Sequence, residues 1–125
     1  MKLTLESYYG IKLVKYLSEL NKGEIASLKD IAFKLNISPQ FALKILKILR
    51  ETEMLALYEG TTTKYELKKE EVSFYEIIYT FQGELFLIDE FKEKEEDNCS
   101  FRSELEKIQK DSIKRLKTLK IWKKK

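Results

Sequence analysis

Two helix starts, at Ser27 and Ser38, constrain this chain more than any other feature in it. Ser27-Leu28-Lys29-Asp30 sets an N-cap serine three residues before an acid, the spacing of a capping box. Ser38-Pro39 sets a second N-cap before a proline at the first helical position, where the missing N–H costs nothing. The first helix must therefore be short. It runs to about Leu35, burying Leu28, Ile31, Ala32 and Leu35, and Asn36-Ile37 makes a tight turn. The next helix carries Phe41, Ala42, Ile45, Leu46 and Leu49 on one side, and Gln40, Leu43, Lys44 and Lys47 on the other. Two short helices joined this way are a helix-turn-helix pattern. Ala32 is small enough to admit the second helix, and Ile37 plugs the corner. In such a motif the second helix enters a DNA major groove by its N-terminal residues. Here the candidate contacts are Ser27 at the start of the first helix, then Ser38, Pro39, Gln40, Leu43, Lys44 and Lys47. Glutamine pairs with adenine, and lysine reaches guanine or a phosphate. A plain helical hairpin with a polar outer face would leave the same pattern.

The flanks add to the motif. Tyr8, Ile11, Val14, Leu17 and Leu20 form a helical stripe that Asn21-Lys22-Gly23 stops. Leu55–Tyr58 and Lys64–Leu67 read as two short strands around the loop Glu59-Gly60-Thr61-Thr62-Thr63. A β-hairpin directly after a helix-turn-helix is a wing, and wings touch the DNA backbone or minor groove. Thr61, Thr62, Thr63 and Lys64 are its candidate phosphate contacts, although a threonine run also fits plain strand propensity. Ser73 and Glu76 form another capping box for a helix that turns Phe74, Ile77, Ile78 and Phe81 inward and ends at Gly83. Residues 84–91 fit a strand or a helix, and 92–98 read as a charged, mobile loop. Phe101, Leu105, Ile108, Ile113, Leu116, Leu119 and Trp122 lie on one stripe of an expected helix of about 22 residues. Leu105, Ile108, Ile113, Leu116, Leu119 and Trp122 are the candidate dimer interface, with Lys123-Lys124-Lys125 as a frayed basic end.

Composition removes whole classes of function. The 125 residues hold no histidine and one cysteine, Cys99. Serine-histidine and cysteine-histidine catalysis, an internal disulfide and a four-cysteine zinc site within one chain are excluded. No phosphate-binding glycine loop and no nucleophile–base pair is present, so an enzyme is not expected. The cysteine usage fits a reducing cytoplasm, and no apolar run has the length of a signal peptide core or a membrane helix. Charge is uneven. Residues 1–68 hold 11 basic and 8 acidic side chains, 69–111 hold 6 and 13, and 112–125 hold 7 and none. The basic ends suit a polyanionic partner, or are solvated faces of a lysine-rich protein.

The order and spacing of these pieces resemble the Rrf2 family of bacterial winged helix-turn-helix transcription regulators, relatives of the iron–sulfur cluster regulator and the cysteine-metabolism repressor. The resemblance rests on Met1-Lys2-Leu3-Thr4, Tyr8-Tyr9, Ser27–Ala32, Asn36–Pro39, Ile45–Arg50, Gly60 through Leu67, Ile77-Ile78 and Phe81-Gln82-Gly83. It implies a DNA-binding homodimer crossed through the C-terminal helix, with a sensor region between the wing helix and that helix. Metal-sensing members carry three cysteines there, whereas this chain has Cys99 alone, with Glu90 about where the first would stand. One thiol per subunit is too few for the usual cluster site, so a cysteine-poor member with no cofactor is expected. Cys99 stays open as a plain thiol, a redox sensor or a cluster ligand. Two further departures concern DNA. Glu59-Gly60 replaces an Arg-Gly wing start, and Leu43 replaces an acid on the recognition helix, so a different operator or weaker binding is expected.

The expected fold is mainly α with a small β-hairpin. A winged helix-turn-helix spans 1–83, a connecting sensor region 84–100, and a dimerisation helix with basic tail 101–125. The expected function is a cytoplasmic homodimeric regulator, a repressor, that binds double-stranded DNA, takes a protein co-regulator as a further candidate partner and uses no membrane. The alternative is a winged-helix protein-interaction module without operator binding.

Overall fold

Thr4 starts the first helix. Its hydroxyl accepts from the Ser7 backbone N–H at 3.2 Å, which opens α1 (Leu5–Ser18) ahead of Tyr8, where the apolar stripe begins. The computed structural model describes residues 2–20, 24–84 and 100–124. The expected stop at Asn21-Lys22-Gly23, residues 85–98 with Glu90, and Cys99 lie outside the described residues.

Strand β1 (Ala26–Ser27) leads straight into α2 (Leu28–Leu35). Ser27 caps α2, and both bonds of the capping box form, each at 3.1 Å: Ser27 N–H donates to Asp30 Oδ2, and Asp30 N–H to Ser27 Oγ. Asn36 ends α2 in the left-handed region, at φ 56° and ψ 50°, a conformation asparagine tolerates better than most residues. Helix α3 (Pro39–Glu51) then starts from the Ser38 cap, which accepts from the Phe41 N–H at 3.1 Å. The turn is the one expected from the sequence. Its tightness needs the left-handed residue that Asn36 supplies.

Strands β2 (Leu55–Tyr58) and β3 (Lys64–Leu67) pair antiparallel with Leu57 opposite Tyr65 and Tyr58 opposite Lys64. Strand β1 joins the far side of β3, with Ser27 opposite Lys64, so the sheet order is β1-β3-β2. The wing is thus hydrogen-bonded to the start of α2. Glu71–Ser73 forms β4, and Ser73 caps α4 (Phe74–Gln82) with the second complete capping box. Gly83 follows at φ +78°, which glycine adopts without steric cost.

The C-terminal helix departs from expectation. Helix α5 (Ser100–Thr118) ends before Leu119 and Trp122, and Lys120–Lys123 forms β5 against β4. Val72 pairs with Trp122 and Ser73 with Lys120, so the register skips Ile121. That bulge turns Ile121 into the core, where it is 7% exposed. Lys120 reaches Glu71 at 3.1 Å, and the Lys124 backbone N–H donates to the Glu70 carbonyl at 2.6 Å. Lys123 and Lys124, expected to fray, are therefore clasped. Burial of Ile121 and Trp122 on this chain's own core explains why the helix stops short of them.

Leu13, Val14, Ile31, Ile45, Leu46 and Leu49 make the centre of one core that reaches Val72 and Ile77. Helices α1 and α4 cross tightly over Gly10, where an added Cβ would lie 2.6 Å from the Phe81 ring and 3.2 Å from Ile77 Cγ2. The Gln82 side-chain amide ties the chain start to the end of α4. Its Oε1 accepts from Thr4 N–H at 2.7 Å and its Nε2 donates to the Lys2 carbonyl at 2.8 Å.

Candidate nucleic-acid interface

The interface begins with the two faces of α3. Ala42, Ile45, Leu46 and Leu49 are buried, which fixes the helix rotation. Ser38, Pro39, Gln40, Lys44 and Lys47 are left exposed, and Leu43 is half-buried. Five of the predicted contacts thus share the outward side of one helix. Ser27 stands apart. It is 8% exposed, its hydroxyl is held in the capping box and its backbone belongs to β1, so its part is to seat α2. In the wing, Thr61, Thr62 and Lys64 are exposed and Thr63 is half-buried. Lys64 begins β3 directly across from Ser27, so the base of the wing lies beside the start of α2.

Two features of this face had no clear sequence signal. Glu6, in the first turn of α1, forms an ion pair with Lys44 at 3.0 Å. The Lys44 hydrogen bond holds the Glu6 carboxyl below the ordinary carboxylate range, helped by the Glu6 backbone N–H and the Lys44 charge. Tyr58 donates its hydroxyl to Glu66 Oε1 at 2.6 Å across the wing, and that bond pushes the phenol up from its usual value. Asp30 is held low, first by the Ser27 backbone N–H, then by the Ser27 hydroxyl, with Lys64 and Lys29 adding weaker attraction. Glu6 and Lys44 lie 38 residues apart on two helices, so only the packing of α1 on α3 reveals their pairing.

Beside α1, α4 and α5 the molecule presents a different surface. An apolar hollow of about 470 Å³ opens between α1, α4 and α5, lined chiefly by Leu3, Tyr8, Ile11, Phe74, Ile78 and Leu116. Of the predicted dimer residues, Ile108 is exposed, while Leu105, Ile113 and Leu116 are half-buried. Leu119 lies at the helix end, its carbonyl accepting from Phe74 N–H at 3.1 Å, and Trp122 packs on this chain's core from β5.

Residues 3–123 match the model of the Rrf2 family, "Iron-dependent Transcriptional regulator". The chain belongs to the Rrf2 family. Rrf2 proteins are transcription regulators rather than enzymes, in line with the lack of catalytic groups expected from the sequence. The curated Protein rrf2 of Nitratidesulfovibrio vulgaris is 27% identical over 84 residues, which are 66% of this chain and 56% of that protein's length. The chain thus matches little more than half of that relative. The CymR global cysteine regulator of B. subtilis has the same winged-helix fold, with a TM-score of 0.83 and 19% identity over 97% of this chain and 93% of that one. Oxidized CymR of Staphylococcus aureus gives 0.78 and 23% over the same shares. T. potens IscR gives 0.76 and 21%, covering 97% of this chain and 83% of that one.

The iron in the Rrf2 family description is not matched by this chain's donors. A cluster is held mainly by thiolates, and the chain has one cysteine and no histidine. Among the described residues, no three acidic or cysteine side chains are grouped to hold a metal ion. No helix of the described residues is long and apolar enough to cross a membrane.

Proposed function

We propose that this Rrf2 protein is a DNA-binding transcription regulator that works in the cytoplasm as a homodimeric repressor. It sets α3 in the major groove and lays the wing on the backbone or minor groove. The single observation that carries this reading is the exposed N-terminal side of α3, with Ser38, Pro39, Gln40, Lys44 and Lys47 outward over a buried apolar face. Gln40 offers a bidentate partner to adenine, and Leu43 offers apolar contact to thymine methyls. Thr61, Thr62, Thr63 and Lys64 supply phosphate contacts from the wing. Two observations support the homodimer. Phe101 is 69% and Ile108 52% exposed on α5, and the apolar hollow beside Leu116 lies open. Leu105, Ile113, Leu116 and Leu119 complete the α5 side of the pairing surface. With one thiol per chain, a signal brought by a protein co-regulator suits the donor set better than a cluster, and Cys99 remains a candidate redox sensor.

One observation favours a second reading, a protein-interaction module: Glu6 neutralises Lys44 on the face that would meet DNA. Binding of the purified protein to genomic fragments at two salt concentrations separates the two. A regulator enriches a subset of fragments at moderate salt, and Gln40→Ala with Lys44→Ala abolishes that enrichment while sedimentation shows an unchanged dimer. Each readout position should weaken binding by about 1–3 kcal/mol. Weak, sequence-blind binding that vanishes with salt leaves the interaction module as the better reading.

A further inference from the structure

Helices α1 and α3 meet in two contacts that share one register. Tyr9 and Phe41 form an edge-to-face pair with ring centroids 5.6 Å apart and planes at 85°. Glu6 and Lys44 lie one helical turn away on their respective helices, and their charged groups meet at 3.0 Å. The partners are each three residues from the aromatic pair, so both contacts fall on the same side of each helix. Lys12 stands over the Tyr9 ring at 5.2 Å, which further fixes that ring. The ion pair is therefore set by the packing of α1 on α3 rather than by chance meeting of two long side chains. Lys44 itself stays 59% exposed, so its ammonium has access both to Glu6 and to a molecule approaching α3.

From this geometry we infer that Glu6 is a positioning residue for DNA recognition: its carboxylate occupies Lys44 in the free protein and competes with DNA phosphate for it. The inference rests on the reading of α3 as the recognition helix. A lysine already neutralised within the protein releases no counterion when it meets a phosphate, so it adds little to sequence-blind binding. A guanine edge presents two acceptors in a fixed place and draws Lys44 away from Glu6 more effectively than a diffuse phosphate path. Glu6 thereby lowers affinity for DNA in general while leaving a lysine ready for the right base.

The test uses the full chain and a mixed-sequence duplex of defined length, titrated at several salt concentrations. Glu6→Gln keeps the side-chain shape and removes the charge. It should bind the duplex about fivefold more tightly at low salt, the value of one surface charge pair in water. The slope of log affinity against log salt should steepen by about 0.9, one extra neutralised phosphate. Lys44→Gln alone should change the slope little, because Glu6 already holds that lysine, and adding Lys44→Gln to Glu6→Gln should take away the gain in affinity and slope. Thermal unfolding of each variant confirms that it is folded. An unchanged slope for Glu6→Gln overturns the inference. So does a gain that persists undiminished beside Lys44→Gln, because Glu6 would then act as a general negative charge. If neither the parent protein nor Glu6→Gln binds duplex DNA at low salt, the recognition-helix reading itself fails, and the inference with it.

Discussion

The helix-turn-helix and the C-terminal clasp use the same device and differ in where its partner lies. In each region a serine ends a strand and caps the next helix. Ser27 closes β1 and opens α2, and Ser73 closes β4 and opens α4. Both capping boxes are complete within four residues. The strands are completed elsewhere. For β1 the partner is β3, in the wing, and for β4 it is β5, near the end of the chain. Caps are local and are written in four letters, whereas strand pairing depends on what the fold brings alongside.

The largest effects test how far the two regions act as one body. Leu49 is fully buried on the inner face of α3, and Leu49→Ala should cost about 3–4 kcal/mol, within the range for buried leucines. Ile121→Ala should cost about 2 kcal/mol, because the bulge at the molecule's edge relaxes more easily around the smaller side chain. Trp122 is the only tryptophan and sits in β5, so its fluorescence reports the clasp while far-UV circular dichroism reports the helices. In urea, Leu49→Ala should shift both signals together. Ile121→Ala should shift the Trp122 transition to lower urea than the helical one. Coincident transitions in Ile121→Ala would show that clasp and helix-turn-helix unfold as a single unit.

This contrast also explains how much was readable from the sequence. The bounds of α2, the start of α3 and the pairing of β2 with β3 follow from caps, a proline and a five-residue loop, all local signals. The C-terminal stripe misled beyond Thr118. Leu119 and Trp122 continue the helical spacing of Leu105, Ile108 and Leu116, but burying Ile121 beside Val72 outweighs one more helical turn. Periodicity cannot reveal that competition, because the deciding contact lies about 50 residues away. At the candidate interface the outward side of α3 was legible from the apolar face opposite it. Glu6 was not, since a first-turn acid is also what the helix N-terminus favours on its own.

Gly10 lies where the two regions are joined, so it sharpens the comparison at intermediate size. Gly10→Ala brings a methyl group against Phe81 and Ile77. Overpacking costs about 1–3 kcal/mol, and alanine returns up to about 1 kcal/mol of helix propensity. A net loss of about 1 kcal/mol is expected, seen as a lower melting temperature with the Trp122 and helical signals moving together. A net gain would mean that the Phe81 ring swings aside freely and that α1 and α4 are coupled more loosely than their approach implies.

The smallest effects concern the caps themselves. Ser27→Ala and Ser73→Ala should each cost about 1 kcal/mol, as N-cap serines do. Their equality is the sharper expectation, because the local device is the same although one cap serves the wing and the other the clasp. The front cap carries a pH signature as well. Asp30 is held below its ordinary value, chiefly by the Ser27 backbone N–H. A depressed folded-state carboxyl adds stability that is present above its unfolded value and is lost as pH falls through the folded one. Parent protein should therefore be more stable than Asp30→Asn at neutral pH, and that difference should shrink as the pH drops below the ordinary carboxylate range. Chemical denaturation of both proteins across that range is the measurement. A difference that stays constant with pH would mean that Asp30 acts through shape and hydrogen bonding alone, and that its charge adds nothing to the start of α2.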